Sequence, residues 1–294
     1  MRVVVISLDA LEHKYVEEFS NMNYLKQKYY GRVDLEPYFI TRPEGIGGRE
    51  PLTTHIYSVY FTGKLPDKSQ GYSNYDEFIV EVKSHKHDTI FEHAKKPFAT
   101  DIPAYTFNSD FGKTDDSWVD IVTGSPLFGG YFRDIFTLEE AEKAYYSYMT
   151  CKTEVIKLLN KLGNDLIFIY YKEPDKLQHM WNDIKRDKEK YTELYNKCNY
   201  FTKELINTFD DKKTLILVLS DHGVNGYGGH SQFGFWSSNI DIGYSEDIPI
   251  NDFYKIIIEW LEKDGFEPEP IEKDISDENK KILAERLRKL GYVI

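Results

Sequence analysis

Thr-Leu-Ile-Leu-Val-Leu-Ser-Asp-His-Gly, residues 214–223, is an apolar run that stops on an acid, a histidine and a glycine. A short aliphatic and β-branched stretch of this kind forms a strand buried on both faces, the pattern of a parallel sheet covered by helices. Two further segments repeat the arrangement. Residues 2–8 (RVVVISL) end on Asp9, and residues 165–171 (DLIFIYY) lead directly into the segment carrying Asp175 and His179. Ligands of open α/β sheets gather at the carboxyl ends of the strands. Three strands from distant parts of the chain thus deliver Asp9, Asp175, His179, Asp221 and His222 to one edge, and His230 adds a sixth metal-type side chain. Taken singly, an Asp after a strand is a common turn or N-cap residue. Taken together, the six suggest a two-metal hydrolase, because two divalent ions let these carboxylates coexist.

The local spacing supports that chemistry. Asp175 and His179, in Glu-Pro-Asp-Lys-Leu-Gln-His, lie four apart, and Pro174 suits the first turn of a helix. Both side chains then project from one helix face and can bind one ion. Asp221 and His222 are adjacent, so a regular strand would point them apart, whereas a turn at the strand end can aim both inward. Gly223 permits the tight approach. His230 sits in Gly-Tyr-Gly-Gly-His-Ser, a loop in which a single histidine is more often simply exposed. His13, His55, His85, His87 and His93 read as surface or core histidines without a ligand role.

Length and composition frame the site. The chain has 294 residues, 41% of them apolar, which is enough for a substantial core and near the upper end for one domain. A single domain over residues 1–294 is expected, with a cap or substrate-selecting insertion within 64–136, where Gly, Pro, Ser, Asn and Asp are abundant. Helices are predicted over 11–30, from a loop at 51 to residue 62, and over 89–94, 138–162, 188–209, 251–264 and 277–290; a strand is predicted over 78–82. The alternation of strand, helix and strand predicts an α/β fold with crossover helices. A formal charge of −12, from 37 basic and 49 acidic residues, argues against a nucleic-acid-binding surface, since phosphate backbones are held by Lys and Arg. It leaves room for a small phosphorylated substrate held by metal ions. No leader precedes the first strand, no apolar run reaches membrane-spanning length, and Cys151 and Cys198 are two widely spaced cysteines, so a cytoplasmic protein without membrane contact is expected. Oligomeric state is left open.

Val-Val-Ile-Ser-Leu-Asp-Ala at 4–10, Glu-Pro-Asp-Lys-Leu-Gln-His-Met-Trp at 173–181 and Leu-Val-Leu-Ser-Asp-His-Gly at 217–223, in this order, resemble the alkaline phosphatase superfamily. Within it they are similar to the type I phosphodiesterase/nucleotide pyrophosphatase branch. Glu-Arg-Leu-Arg-Lys-Leu-Gly-Tyr-Val at 285–293 resembles the closing helix of microbial members. The resemblance covers most of the chain but is poor over 63–136, so substrate specificity does not carry over. It implies an alkaline-phosphatase-like three-layer sandwich, a mostly parallel central sheet with helices on both faces. It also implies that Asp175, His179 and His230 hold one divalent ion and that Asp9, Asp221 and His222 hold the other. Zinc is favoured by the mixed Asp/His ligands, and manganese is tolerated by them. His230 follows Asp221 closely, as in short microbial relatives.

The segment Glu-Pro-Leu-Thr-Thr-His-Ile-Tyr-Ser-Val-Tyr-Phe-Thr-Gly-Lys, residues 50–64, resembles the stretch from the family nucleophile to its Thr-Gly. Aligned back from Thr62 and Gly63, Thr53 falls on the nucleophile, with Thr54 as the competitor; taken alone, Thr53 reads as an ordinary N-cap. Asn74 lies about where the family carries an Asn that donates to a phosphate oxygen. The Cys/Ser-x-Pro-x-Arg pattern of sulfatases is missing at Thr53. The implied activity is metal-dependent hydrolysis of a nucleotide or other phosphodiester through a phosphothreonine. A phosphomonoesterase or phosphomutase of the same superfamily is the alternative, and an inactive binding protein with this fold would show degraded ligands.

Overall fold

The central strand β1 (Arg2–Leu8) is flanked on both sides by parallel partners, β6 (Leu166–Tyr171) and β7 (Thr214–Leu219). These are the three apolar runs read from the sequence, and every residue in them is buried. A computed structural model describes residues 1–35, 40–41, 49–50, 53–65, 88–100, 137–160, 163–181, 187–211, 213–225 and 229–263. Among them, β1, β6 and β7 join β2 (Tyr29–Asp34), β5 (Pro97–Thr100), β10 (Phe233–Ser238) and β11 (Asp247–Ile248) in a seven-stranded sheet of order β11-β2-β10-β7-β1-β6-β5. Only β10 runs antiparallel to its neighbours, β7 and β2. Two short pairs complete the described strands: β3 (Ile40–Thr41) with β4 (Arg49–Glu50), and β8 (Gly223–Val224) with β9 (His230–Ser231).

Strand alternation divides the core into two layers. Val4, Ile6, Leu8, Ile167, Ile169, Tyr171, Ile216 and Val218 face one side. There they meet α1 (His13–Glu18), α3 (Leu138–Leu159), α4 (Glu173–Met180) and α5 (Lys188–Phe209) through Val16, Tyr145, Leu177, Leu194 and Cys198. Val3, Val5, Leu166, Phe168, Tyr170, Leu215 and Leu217 face the other, against Ile56, Tyr60 and Phe61 of α2 (Thr53–Thr62) and Phe253 and Ile257 of α6 (Asp252–Leu261). The result is the expected sandwich, with helices on both faces of a mixed, mostly parallel sheet.

Two predicted helices differ from the structure. The helix expected over 11–30 survives only as α1; the chain then turns, and residues 29–34 become a strand of the sheet. The apolar spacing reported burial, since Leu11, Val16, Phe19, Met22 and Leu25 all enter the core. The helix ends at Glu18, with Phe19 extended; Asn21 then takes a left-handed φ of 64°, and Asn199 of α5 accepts hydrogen bonds from the backbone of Tyr24 and Leu25 at 3.0 Å, fixing a non-helical run. Residues 89–94 form successive turns in place of a helix, with Thr89 and Glu92 bonded to each other. Strands β5, β10 and β11 were not anticipated, and β5 lies within the stretch read as an insertion. The predicted elements at 78–82 and 277–290, and Asn74, lie outside the described residues.

The outer part of the sheet depends on a glycine. A Cβ on Gly31 of β2 would lie 1.8 Å from the carbonyl oxygen of Glu246 and 2.8 Å from Nε1 of Trp236, which donates to that same oxygen at 2.9 Å. Gly31→Ala must part β2 from β11 or displace the indole, and is expected to lower unfolding free energy in urea by about 1–3 kcal/mol. An unchanged midpoint would show that this edge yields freely.

Candidate metal centre

Register brings the candidate ligands to one level. Ser7 pairs with Tyr170 on one side of β1 and with Leu219 on the other. Strands so aligned end together, and the residues that follow them emerge at the same sheet edge. The backbone N–H of Asp9 continues the ladder to the carbonyl of Tyr171 at 3.0 Å. Ala10 then takes a left-handed φ of 59°, a conformation that costs a non-glycine residue about 1–2 kcal/mol. The sharp turn is held from two sides, by Gln178 Nε2 donating to the Ala10 carbonyl at 3.0 Å and by the Leu11 N–H donating to Ser220 Oγ at 2.8 Å. Asp9 is thereby buried, and its Oδ2 accepts a short hydrogen bond from the Tyr170 hydroxyl.

Asp175 and His179 project from α4 as their spacing requires, with His179 Nε2 3.1 Å from Asp175 Oδ1. Pro174 occupies the first turn, where its missing N–H costs nothing. After β7 the backbone turns: Ser220 Oγ donates to the carbonyl of His222 at 2.6 Å. His222 Nδ1 lies 3.0 Å from the carbonyl of Gly223, so a proton on Nδ1 leaves Nε2 to face the cluster. That Nε2 stands 3.1 Å from Asp9 Oδ1, 3.4 Å from Asp221 Oδ2 and 3.3 Å from Thr53 Oγ1. The hairpin β8–β9 returns His230 to the same place, its ring stacked 3.8 Å from that of His222 and 5.7 Å from that of His179. Its Nε2 is 4.0 Å from Asp175 Oδ1.

All six residues therefore meet. Donor atoms of Asp9, Asp221 and His222 lie within 4.8 Å of one another, and so do those of Asp175, His222 and His230. His222 thus contributes to both groups, where the resemblance pairs His179 with Asp175 and His230. Thr53, half-buried, is the first residue of α2, with its hydroxyl beside the Asp9, Asp221 and His222 group. The side chain of Thr54 lies outside those described. His55 is buried on α2, His93 pairs with Asp88 at 2.8 Å, and His13 packs near Phe235; none of the three belongs to the cluster.

The electrostatics favour a cation. Burial, then the neighbouring Asp9, pushes the Asp221 carboxyl well above the usual carboxylate range. Burial opposes charge on His222, but Asp221, Asp9 and Asp175 outweigh it and push the imidazole up to about 10. Asp175 is held below the ordinary range: burial raises it, and the bond to His179 with the charges of His222 and His230 lowers it further than burial lifts it. Both oxygens of Asp221, and Oδ1 of Asp9, are fully buried without a hydrogen-bond donor in bonding geometry. Bare buried carboxylate oxygens beside imidazole nitrogens are the donor set that divalent zinc or manganese accepts, so the residues fit such ions.

Tyr170 and Ser220 were not picked out from the sequence. A strand tyrosine and a serine before an aspartate carry no signal until the sheet register shows what they touch.

Residues 51–240 match the profile of the type I phosphodiesterase / nucleotide pyrophosphatase family, and the chain belongs to that family of phosphoester hydrolases. The match includes every candidate above except Asp9, which precedes it. No curated protein sequence matches the chain significantly. Among solved structures, the alkaline phosphatase of the Antarctic bacterium TAB5 is similar with a TM-score of 0.50 at 12% identity, over 90% of this chain and 99% of that one. It shares the alkaline-phosphatase-like fold. Looser likenesses are the PH0037 protein of Pyrococcus horikoshii (TM-score 0.44, 12% identity, 90% of this chain and 98% of that one) and the Streptococcus pyogenes phosphoglycerol transferase GacH in complex with sn-glycerol-1-phosphate (0.40, 11%, 99% and 85%).

A purely structural acid and a metal ligand respond oppositely at Asp221. Asp221→Asn keeps neutral a group that burial and Asp9 already push toward its neutral form, so stability in a chelator is expected to stay level or rise. The stabilisation that excess zinc or manganese gives the wild type, about 2.7 kcal/mol at a hundredfold excess over Kd, is expected to shrink. Thermal melts with and without metal measure both. A variant that melts lower in chelator and keeps the full metal shift would make Asp221 structural.

Proposed function

We propose that this protein is a two-metal phosphodiesterase of small phosphorylated substrates, nucleotides or other diesters, that works through a phosphothreonine on Thr53. The observation that carries the reading is the position of the Thr53 hydroxyl. It stands at the first turn of α2, 3.3 Å from the Nε2 of His222, the imidazole that both groups of candidate ligands share.

Following the family pattern, Asp9, Asp221 and His222 would hold one ion and Asp175, His179 and His230 the other, with zinc favoured and manganese acceptable. Divalent ions bound there supply the positive charge that stabilises a deprotonated hydroxyl and the charge developing on phosphate oxygens. The chain supplies the rest. The N-terminus of α2 brings the positive end of its dipole to the Thr53 oxygen and an incoming phosphate. Oγ1 forms the bond to phosphorus as the bond to the leaving alkoxide breaks, and water then cleaves the phosphothreonine. Packing of Ile56, Tyr57, Tyr60 and Phe61 against the sheet keeps α2, and hence Oγ1, in place.

The 64–136 stretch is the natural source of substrate selection, and Asn74 a phosphate-oxygen donor within it. Cys151 and Cys198 are free thiols, consistent with a cytoplasmic setting, and no described helix is long and apolar enough to cross a membrane. The enzyme and its Thr53 and Thr54 variants, at matched metal content, are to be assayed on chromogenic phosphodiesters, phosphomonoesters and sulfate esters. Diester turnover is expected to exceed the other two, Thr53→Ala to lose about a thousandfold or more, Thr53→Ser to retain a substantial part, and Thr54→Ala to change little. Monoester turnover above diester turnover would give the monoesterase reading instead. Full activity in Thr53→Ala would remove the covalent mechanism.

A further inference from the structure

Glu12 is a buried acid for which the proposed reaction has no use. It lies three residues beyond Asp9 and is 8% exposed. Its carboxylate joins two segments. The Lys14 N–H donates to Oε1 at 3.4 Å, making Glu12 the N-cap of α1, while Ser231 Oγ of β9 gives a short hydrogen bond to Oε2. The backbone N–H of Glu12 itself donates to the Tyr195 hydroxyl of α5 at 2.9 Å, so the residue is tied to the body of the fold.

Contacts on the hairpin side explain a glycine as well. A Cβ on Gly223 would stand 2.1 Å from Glu12 Oε2, 2.4 Å from Ser231 Oγ and 2.4 Å from the carbonyl of Phe233. The backbone of Gly223 is not left-handed, so here glycine serves close approach alone. Gly223 and Ser231 are opposed in the β8–β9 ladder. Each directly follows a candidate ligand, His222 and His230 respectively. The carboxylate thus grips the hairpin at the residue pair adjoining both histidines.

We infer that Glu12 is a positioning residue, a clasp that holds the β8–β9 hairpin against α1 so that His222 and His230 face Asp9, Asp175 and Asp221. The inference rests on the reading of those histidines as metal ligands. His230 depends on the clasp most, because it stands on the returning strand of the hairpin next to Ser231, whereas His222 is also tethered through Ser220 and the end of β7. Hydrogen bonds that orient ligands from outside the coordination shell are commonly worth 10–100-fold in metal affinity. Ser231→Ala removes the side-chain bond of the clasp and spares the α1 cap and the bond from the Val224 backbone of β8; Glu12→Ala removes all three.

Zinc affinity is to be measured by competition with a chromogenic chelator for the wild type, Glu12→Ala, Glu12→Gln and Ser231→Ala, with melts in chelator to follow stability. Thr137→Ala, which strips the capping box of α3, is the control for general helix destabilisation. The wild type is expected to take two ions. Ser231→Ala and Glu12→Ala are expected to weaken the looser ion by about 10–100-fold, with Glu12→Gln, which can still accept from Ser231, nearer wild type and Thr137→Ala unchanged. If Glu12→Ala does not fold, Ser231→Ala alone decides. Two ions bound as tightly as by the wild type in Ser231→Ala and, where it folds, in Glu12→Ala would overturn the clasp while leaving the metal reading intact. A wild type that takes no ion would overturn both.

Discussion

Three carboxylates and three imidazoles crowded at one sheet edge are the constraint on which the rest of this structure turns. Asp9, Asp175, Asp221 and His222 are buried, and His179 and His230 are only partly exposed. Removing such charges from water costs several kcal/mol each unless partners compensate. The chain alone compensates incompletely, pushing the His222 imidazole toward its charged form and Asp221 toward its neutral form while three buried carboxylate oxygens lack a well-aligned hydrogen bond. An apolar edge would be more stable. That an arrangement of this cost is assembled from three strands, a helix and a hairpin is an argument for chemistry, because nothing in the packing of the core calls for it.

The scaffold meets that cost by rigidity below the cluster. β1, β6 and β7 are apolar on both faces, and their common register leaves little freedom in where Asp9 and Asp221 emerge. Local irregularities then do the aiming. The left-handed Ala10 turns the chain under Asp9, Ser220 closes the turn at His222, and the Tyr170 hydroxyl holds one Asp9 oxygen. On the opposite layer, aromatic packing of Tyr57, Tyr60 and Phe61 against Phe168 and Tyr170 seats α2, so the Thr53 hydroxyl, the proposed nucleophile, comes from a different layer than Asp175 and His179. A two-sided site of this kind suits an in-line displacement, in which attacking and leaving groups lie on opposite sides of phosphorus.

Much of this was legible in the sequence because it depended on local signals. Uninterrupted β-branched and aliphatic runs marked β1, β6 and β7, and the i, i+4 spacing after Pro174 marked α4 and the side chains of Asp175 and His179 that share its face. The length and periodicity of residues 188–209 matched α5 residue for residue. Other parts were decided at a distance. Tyr29–Asp34 is half-exposed and aromatic at its start, and it became a strand because β10 and β11 pair with it. β10 itself, Phe-Gly-Phe-Trp-Ser-Ser, has too little alternation to declare itself. The hydrogen bonds of Tyr170 with Asp9 and of Glu12 with Ser231 join residues 161 and 219 positions apart, and no spacing rule reaches that far.

The central claim, that the cluster is a two-ion centre, is tested most directly by diffraction from zinc-loaded crystals at wavelengths on either side of the zinc absorption edge. The account predicts two anomalous peaks, one among Asp9, Asp221 and His222 and the other among Asp175, His179 and His230, with the Thr53 hydroxyl at the first. A single peak shared through His222, or zinc bound only elsewhere on the surface, would contradict it.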